Sequence, residues 1–175
     1  MAAVRPEEIR IGWTELVDLP EWGVKRLRAK VDTGARTSAL HVDNIRELPH
    51  DQVSFDVVLH RAKLDRRVPV KTRIVRRGHV RSSSGHQTNR IFVETAIRLG
   101  PVTRTIEVSL VDRGEMLHRM LLGRKALGGP FVIDVDRRML LSPRKKRTKK
   151  GRKKTPAADA GKRRHAPDVG RKSRA

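Results

Sequence analysis

From residue 9 to residue 142 the chain is written in short runs that alternate apolar and polar residues, and this pattern limits its folding more than any other feature. Ile9 to Trp13 and Glu15 to Leu19 alternate, as do Val24 to Val31, Val53 to Leu59 and Val68 to Val75. Ile91 to Leu99 and Thr103 to Val111 follow, joined across Leu99-Gly100-Pro101, a turn signal. Two short apolar runs, Phe131 to Ile133 and Met139 to Leu141, close the domain. Period-two alternation puts apolar side chains on one face of an extended segment, so each run predicts a half-buried strand. Many short strands between turn signals predict a mainly β domain, closed as a barrel or stacked as a sandwich. A short helix is expected over Arg124-Lys125-Ala126-Leu127, stopped by Gly128-Gly129-Pro130, with another helical turn near Thr37 to His41. No internal repeat is visible.

Charge divides the chain in two. The 175 residues carry 41 Lys+Arg against 19 Asp+Glu, a net of +22. Residues 143–175 hold 15 of the basic and 2 of the acidic residues, a net of +13, which leaves +9 for residues 1–142. The tail's apolar residues are alanines and Val169, interrupted by Pro143, Pro156, Pro167 and three glycines. Such a segment buries too little surface to offset the entropy of ordering it, so a disordered tail is expected after a folded domain at 1–142. Lys145, Lys146, Lys149, Lys150, Lys153 and Lys154 suit weak, nonspecific contact with RNA, ribosomal surfaces or another polyanion; a solvated solubility tail is the alternative. Sequence-specific base reading has no motif here, and with no Tyr, 2 Trp and 3 Phe a stacking surface for RNA is not expected. The absence of Cys excludes a disulfide framework, a thiolate zinc site and a cysteine nucleophile. Apolar stretches are only a few residues long, and Arg5, Glu7, Glu8 and Arg10 break up the first ten residues. Neither a membrane span nor a secretory leader is expected, and a cytoplasmic protein is.

One segment carries chemistry. In Lys30-Val31-Asp32-Thr33-Gly34-Ala35 a strand delivers Asp32 and then breaks at Gly34. The carboxylate sits at a rigid strand end, Thr33 offers a hydroxyl to lock the loop, and Gly34 lets a backbone N–H approach the carboxylate. Asp-Thr-Gly alone is also an ordinary turn. A second element, Met120-Leu121-Leu122-Gly123-Arg124, places its Gly 91 residues after Asp32 and leads into the short helix.

Together these elements resemble the retropepsin-like aspartic endopeptidases. Gly12-Trp13, Leu19-Pro20, Lys30 through Leu40, Val80-Arg81-Ser82-Ser83, Asp112-Arg113, Met116 and Leu121-Leu122-Gly123-Arg124 look like their bacterial RimB-type branch, historically labelled an ATP-dependent zinc protease. The resemblance covers residues 11 to 142. It implies a small closed β-barrel in which Asp32 is catalytic, with Thr33, Gly34, Ala35, Leu121, Leu122, Gly123 and Arg124 supporting its loop. It also implies two aspartates sharing one water and one proton. The chain has one Asp-Thr-Gly, since Asp112-Arg113-Gly114 is not a second copy, so the implied dyad needs a homodimer. Viral members carry an acidic residue where Arg36 stands, which leaves the partner of Arg124 open. Their flap over the dyad has its best counterpart in the turn Ser82-Ser83-Ser84-Gly85-His86, with residues 61 to 66 as the other choice and a plain surface hairpin as the alternative.

No cofactor is expected. There is no His-Glu-x-x-His, the seven histidines lack close ligand spacing, and no Gly-x-x-x-x-Gly-Lys-Ser/Thr loop occurs. Ser82 to Ser84 near His86 read as a polar turn rather than a serine nucleophile. The leading expectation is a peptide hydrolase acting on peptide or protein substrates. Members of the branch are associated with ligases that add glutamate to protein tails, which implies acidic or glutamate-modified substrates. The competing expectation is a non-catalytic module of the same fold that binds acidic peptides, ribosomal components or RNA.

Overall fold

The computed structural model describes residues 8–60, 66–81, 87–112 and 118–142. The 82–86 turn and the basic tail therefore lie outside the described residues. In chain order the elements are β1 (Ile9–Gly12), β2 (Thr14–Leu19), β3 (Val24–Val31), β4 (Ser38–Leu48), β5 (Gln52–Val58) and β6 (Arg67–Arg73). They continue with β7 (Arg76–Arg81), β8 (Gln87–Leu99), β9 (Val102–Val111), β10 (Met120–Leu122), α1 (Arg124–Leu127) and β11 (Phe131–Asp134).

Six strands close a ring in the order β10-β3-β2-β8-β9-β4, because β10 pairs with β3 on one side and with β4 on the other. The alternation seen in the sequence is what fills it. Val17, Leu27, Leu40, Val93, Val108 and Met120 point inward and are buried, while their neighbours along β3, Arg26 and Arg28, stay exposed. Such apolar burial is the main force holding the barrel, about 1.5 to 3 kcal/mol for each fully buried large side chain. β5 and β6 extend the sheet beyond β4, and β1 with β11 forms a separate parallel pair. Leu99 pairs with Val102 across Gly100-Pro101, and Gly100 sits at φ +57°, in the left-handed region that glycine adopts without steric cost.

Two expectations are corrected. Thr37 to His41 is no helical turn: from Ser38 onward it is the start of β4, an eleven-residue strand. β4 lies between β9 and β10, so its residues from Ser38 to Val42 are all buried and show no alternation to read. Met139 to Leu141 is no ladder strand either. Met139 has φ +58° and donates its N–H to the Thr14 carbonyl, while the next two amides turn to a carboxylate.

That carboxylate is Glu15, wholly buried in β2. Its Oε1 accepts from the Gly12 N–H and the Leu140 N–H, each at 2.8 Å, and Oε2 accepts from the Leu141 N–H at 3.3 Å. Glu15 thus ties β1 and the 139–141 segment to the barrel through backbone amides. Glu15→Ala is expected to lower unfolding free energy by about 3 kcal/mol, since it orphans these amides. Urea denaturation checks this; an unchanged midpoint would show that water replaces the carboxylate without cost.

Candidate active site

β3 runs straight into the Asp-Thr-Gly loop. The Val31 N–H donates to the Trp13 carbonyl and the Asp32 N–H to the Leu122 carbonyl, both at 2.9 Å, so the backbone of Asp32 is clamped between neighbouring strands. The chain then turns. Asp32 Oδ1 accepts from the Gly34 N–H at 3.1 Å and from the Ala35 N–H at 3.2 Å, and the Ala35 N–H also reaches the Asp32 carbonyl at 3.3 Å. One carboxylate oxygen is therefore oriented by its own loop, as the sequence predicts for Gly34. Thr33 acts differently from the expectation: it is exposed, and the hydrogen bond it makes among the described residues is through its carbonyl.

The second motif packs behind this loop. Leu122 is fully buried and Leu121 lines the space in front of Asp32. The Gly123 N–H donates to Ser38 Oγ at 3.2 Å, and Ser109 Oγ donates to the Ser38 carbonyl at 3.2 Å. A Cβ on Gly123 would lie 2.6 Å from the Thr37 carbonyl carbon and 2.7 Å from its oxygen, so the approach of the two motifs needs a residue without one. The first amides of α1 take the loop's carbonyls: Arg124 N–H to Ala35 at 2.9 Å and Lys125 N–H to Arg36 at 3.0 Å. Arg124 Nη1 donates to the Thr33 carbonyl at 2.7 Å and the Gly34 carbonyl at 2.9 Å. This answers the question raised by Arg36. Arg124 braces the loop through main-chain oxygens of its own chain and needs no acidic residue at position 36.

Asp32 opens into a cleft of about 790 Å³. Asp32, Ala35, Arg36 and Leu121 line one side; Arg76, His79, Arg90 and Phe92, from β7 and β8, line the other. Asp32 is the one carboxylate among the described lining residues, against three arginines. The Gln87 to Ile91 part of β8 pairs with β7, and pairing with β9 begins at Phe92, so these strands stand beyond the barrel as a two-stranded hairpin. Residues 82–86, the expected flap turn with Ser82, Ser83, Ser84, Gly85 and His86, lie outside the described residues. β5 and β6, which flank residues 61–65, contribute no described residue to the cleft.

Residues of the site that were not singled out from sequence include Arg76, Arg90, Phe92 and Glu107. Phe92 is legible only as a member of a strand, and Ser38 stands in the segment that reads as a helical turn. Arg76 lies in a strand that alternation does not reveal, and Glu107 alternates on β9 like any surface residue. Arg76 Nε and Nη2 bind the two Glu107 oxygens at 2.8 and 2.9 Å, and its guanidinium carbon lies 3.4 Å from the Phe92 ring centroid. Lys125 Nζ approaches Glu107 at 3.6 Å. The hydrogen bonds from Arg76 hold the Glu107 carboxyl below its usual range, and the same bonds raise Arg76 above its own. Among the described residues no group of three or more His, Asp or Glu side chains is placed to hold a metal ion.

A closed six-stranded barrel that ends an inner strand on a loop-capped Asp-Thr-Gly aspartate, backed by a Leu-Leu-Gly-Arg element, defines the retropepsin-like fold class. Residues 10–144 match the RimB-like family, described as retropepsin-like aspartic endopeptidase RimB, and the chain belongs to that family. It is 36% identical over 129 residues to a probable alpha-L-glutamate ligase of Desulfotalea psychrophila, covering 71% of this chain and 27% of the relative. It is 35% identical over 129 residues to a protein of the same description from Shewanella pealeana, covering 71% and 28%. The chain therefore spans little more than a quarter of the curated relatives it matches. A solved structure of a Legionella pneumophila protein of unknown function superposes with a TM-score of 0.62 at 27% identity, covering 76% of this chain and 98% of that one. Among the described residues no helix is long and apolar enough to cross a membrane.

Proposed function

We propose that the chain is a cytoplasmic aspartic endopeptidase that works as a homodimer, each copy giving one Asp32. The observation that carries the reading is Asp32 itself: a strand-end carboxylate held at one oxygen by two backbone amides, at a cleft whose described lining residues bring no second carboxylate. Aspartic hydrolysis needs two carboxyl groups sharing a proton, so the second comes from the partner's Asp32. The ionised member takes a proton from water, and the water oxygen attacks the peptide carbonyl carbon. The protonated member gives its proton to the carbonyl oxygen. Collapse of the tetrahedral intermediate breaks the C–N bond, and the departing nitrogen leaves as an amine with a proton from the dyad. No acyl-enzyme forms and no metal takes part.

Arg36, Arg76 and Arg90 make the cleft electropositive and suit acidic or glutamate-modified protein substrates. The glutamate-ligase description of the relatives points the same way, and the +13 of residues 143–175 adds attraction for polyanionic surroundings. The hairpin of β7 and β8 supports the 82–86 turn as the flap, since both strands line the cleft.

The purified full chain is to be incubated with peptides containing glutamate runs and with their glutamine counterparts, and the products read by mass spectrometry. Cleavage is expected to be unchanged by a chelator, and about tenfold or more faster for the glutamate set at low salt. Failure to cleave any peptide would end the catalytic reading in favour of a binding module. Equal rates on the two sets would end the acidic preference alone.

A further inference from the structure

Arg76 is held from three directions. Glu107 takes Nε and Nη2 in a forked pair, and the Phe92 ring lies under the guanidinium. The third support is a bare one: a Cβ on Gly78 would stand 2.8 Å from Nη1, so the guanidinium rests over a backbone with no side chain to push it away. Gly78 faces Arg90 and Arg76 faces Phe92 across the two strands, and Arg76, Arg90 and Phe92 line the Asp32 cleft. Glu107 has only 13% of its side chain exposed, whereas Arg76 has 43%. The acid is thus tucked away and the cation presented. Among the described residues Nη1 makes no hydrogen bond, although Nε and Nη2 are both committed. A guanidinium that loses little freedom on forming its next hydrogen bond is a preorganised donor.

We propose that Arg76 is a substrate-binding residue that donates from Nη1 to an oxygen of a peptide lying in the Asp32 cleft. The acceptor is a backbone carbonyl or a side-chain carboxylate, which share this chemistry. Glu107 and Phe92 act through Arg76: they fix the plane of its fork, so that a Lys of equal charge does not replace it. The inference rests on the peptidase reading for what enters the cleft, and it assigns Arg76 no part in proton transfer.

The test uses full-length Asp32→Asn protein and a fluorescein-labelled glutamate-run peptide, with its glutamine counterpart, read by anisotropy. Adding Arg76→Gln is expected to weaken binding about tenfold or more. Adding Arg76→Lys, which retains the charge opposite Glu107, is expected to restore less than half of that loss on a logarithmic scale. Thermal melts check that each variant is folded, and Arg76→Lys carries the test if Arg76→Gln does not fold. A loss confined to the glutamate peptide assigns the acceptor as a carboxylate; an equal loss for both peptides assigns a backbone carbonyl. Full affinity in Arg76→Lys overturns the positioned fork. Hydrolysis by the wild type, with binding indifferent to both variants, overturns the inference and leaves the peptidase reading standing. No binding of either peptide to the parent overturns the inference, and no hydrolysis by the wild type overturns the peptidase reading as well.

Discussion

Asp32→Asn protein is expected to cleave peptides about 10³-fold more slowly than the wild type or worse, while folding normally. The amide keeps an oxygen to accept from the Gly34 and Ala35 N–H groups, so the loop geometry at 3.1 and 3.2 Å has no reason to change. What is lost is the group that takes a proton from water. A mixing experiment sharpens the result. If each active unit draws one carboxyl from each of two chains, equal amounts of wild type and variant, allowed to exchange partners, retain about a quarter of the activity. If single chains act alone, half remains. Wild-type activity in the pure variant would remove Asp32 from the mechanism altogether, and half activity in the mixture would remove the shared dyad.

Gly123→Ala is expected to destabilise the fold strongly. The new Cβ would meet the Thr37 carbonyl carbon at 2.6 Å and the Arg36 carbonyl carbon at 2.9 Å, both backbone atoms with no rotamer to escape into. The Gly123 N–H is also bonded to Ser38 Oγ, and the Leu122 carbonyl holds the Asp32 N–H, so displacement at Gly123 is passed directly to the aspartate. Overpacking of this kind costs about 3 kcal/mol, which lowers the melting temperature of a domain this size by about 10 °C. Calorimetry checks the stability, and the peptide assay should fall with it even well below the melting temperature. A variant with the wild-type melting point and activity would mean that the loop and β10 are not locked together as described.

The family and much of the barrel were legible in the sequence because both rest on local information. β3 is found with the same bounds that alternation predicts, and α1 covers the four residues before Gly128 that composition singles out. The bond from the Gly34 N–H to Asp32 could be anticipated because it spans two residues. Elements buried on both sides were illegible. The start of β4 reads as a helical turn because its neighbours β9 and β10 remove the polar face that would have marked it. Met139 to Leu141 reads as a strand because a short apolar run cannot tell a ladder from amides gathered round Glu15, 125 residues away for Leu140.

By itself the sequence determined where most of the strands would form, which aspartate stands at a strand end, and how the positive charge is distributed along the chain. These follow from side-chain period, from the conformational freedom of one glycine and from counting. Only the tertiary structure decided what faces Asp32. Closing the barrel through β10 sets Arg124 against the Thr33 and Gly34 carbonyls, and turns Arg76 of β7 toward Glu107 of β9. These partners are 91 and 31 residues apart. No local pattern couples residues at such separations; the register of paired strands does, because it places distant side chains on one face at contact distance.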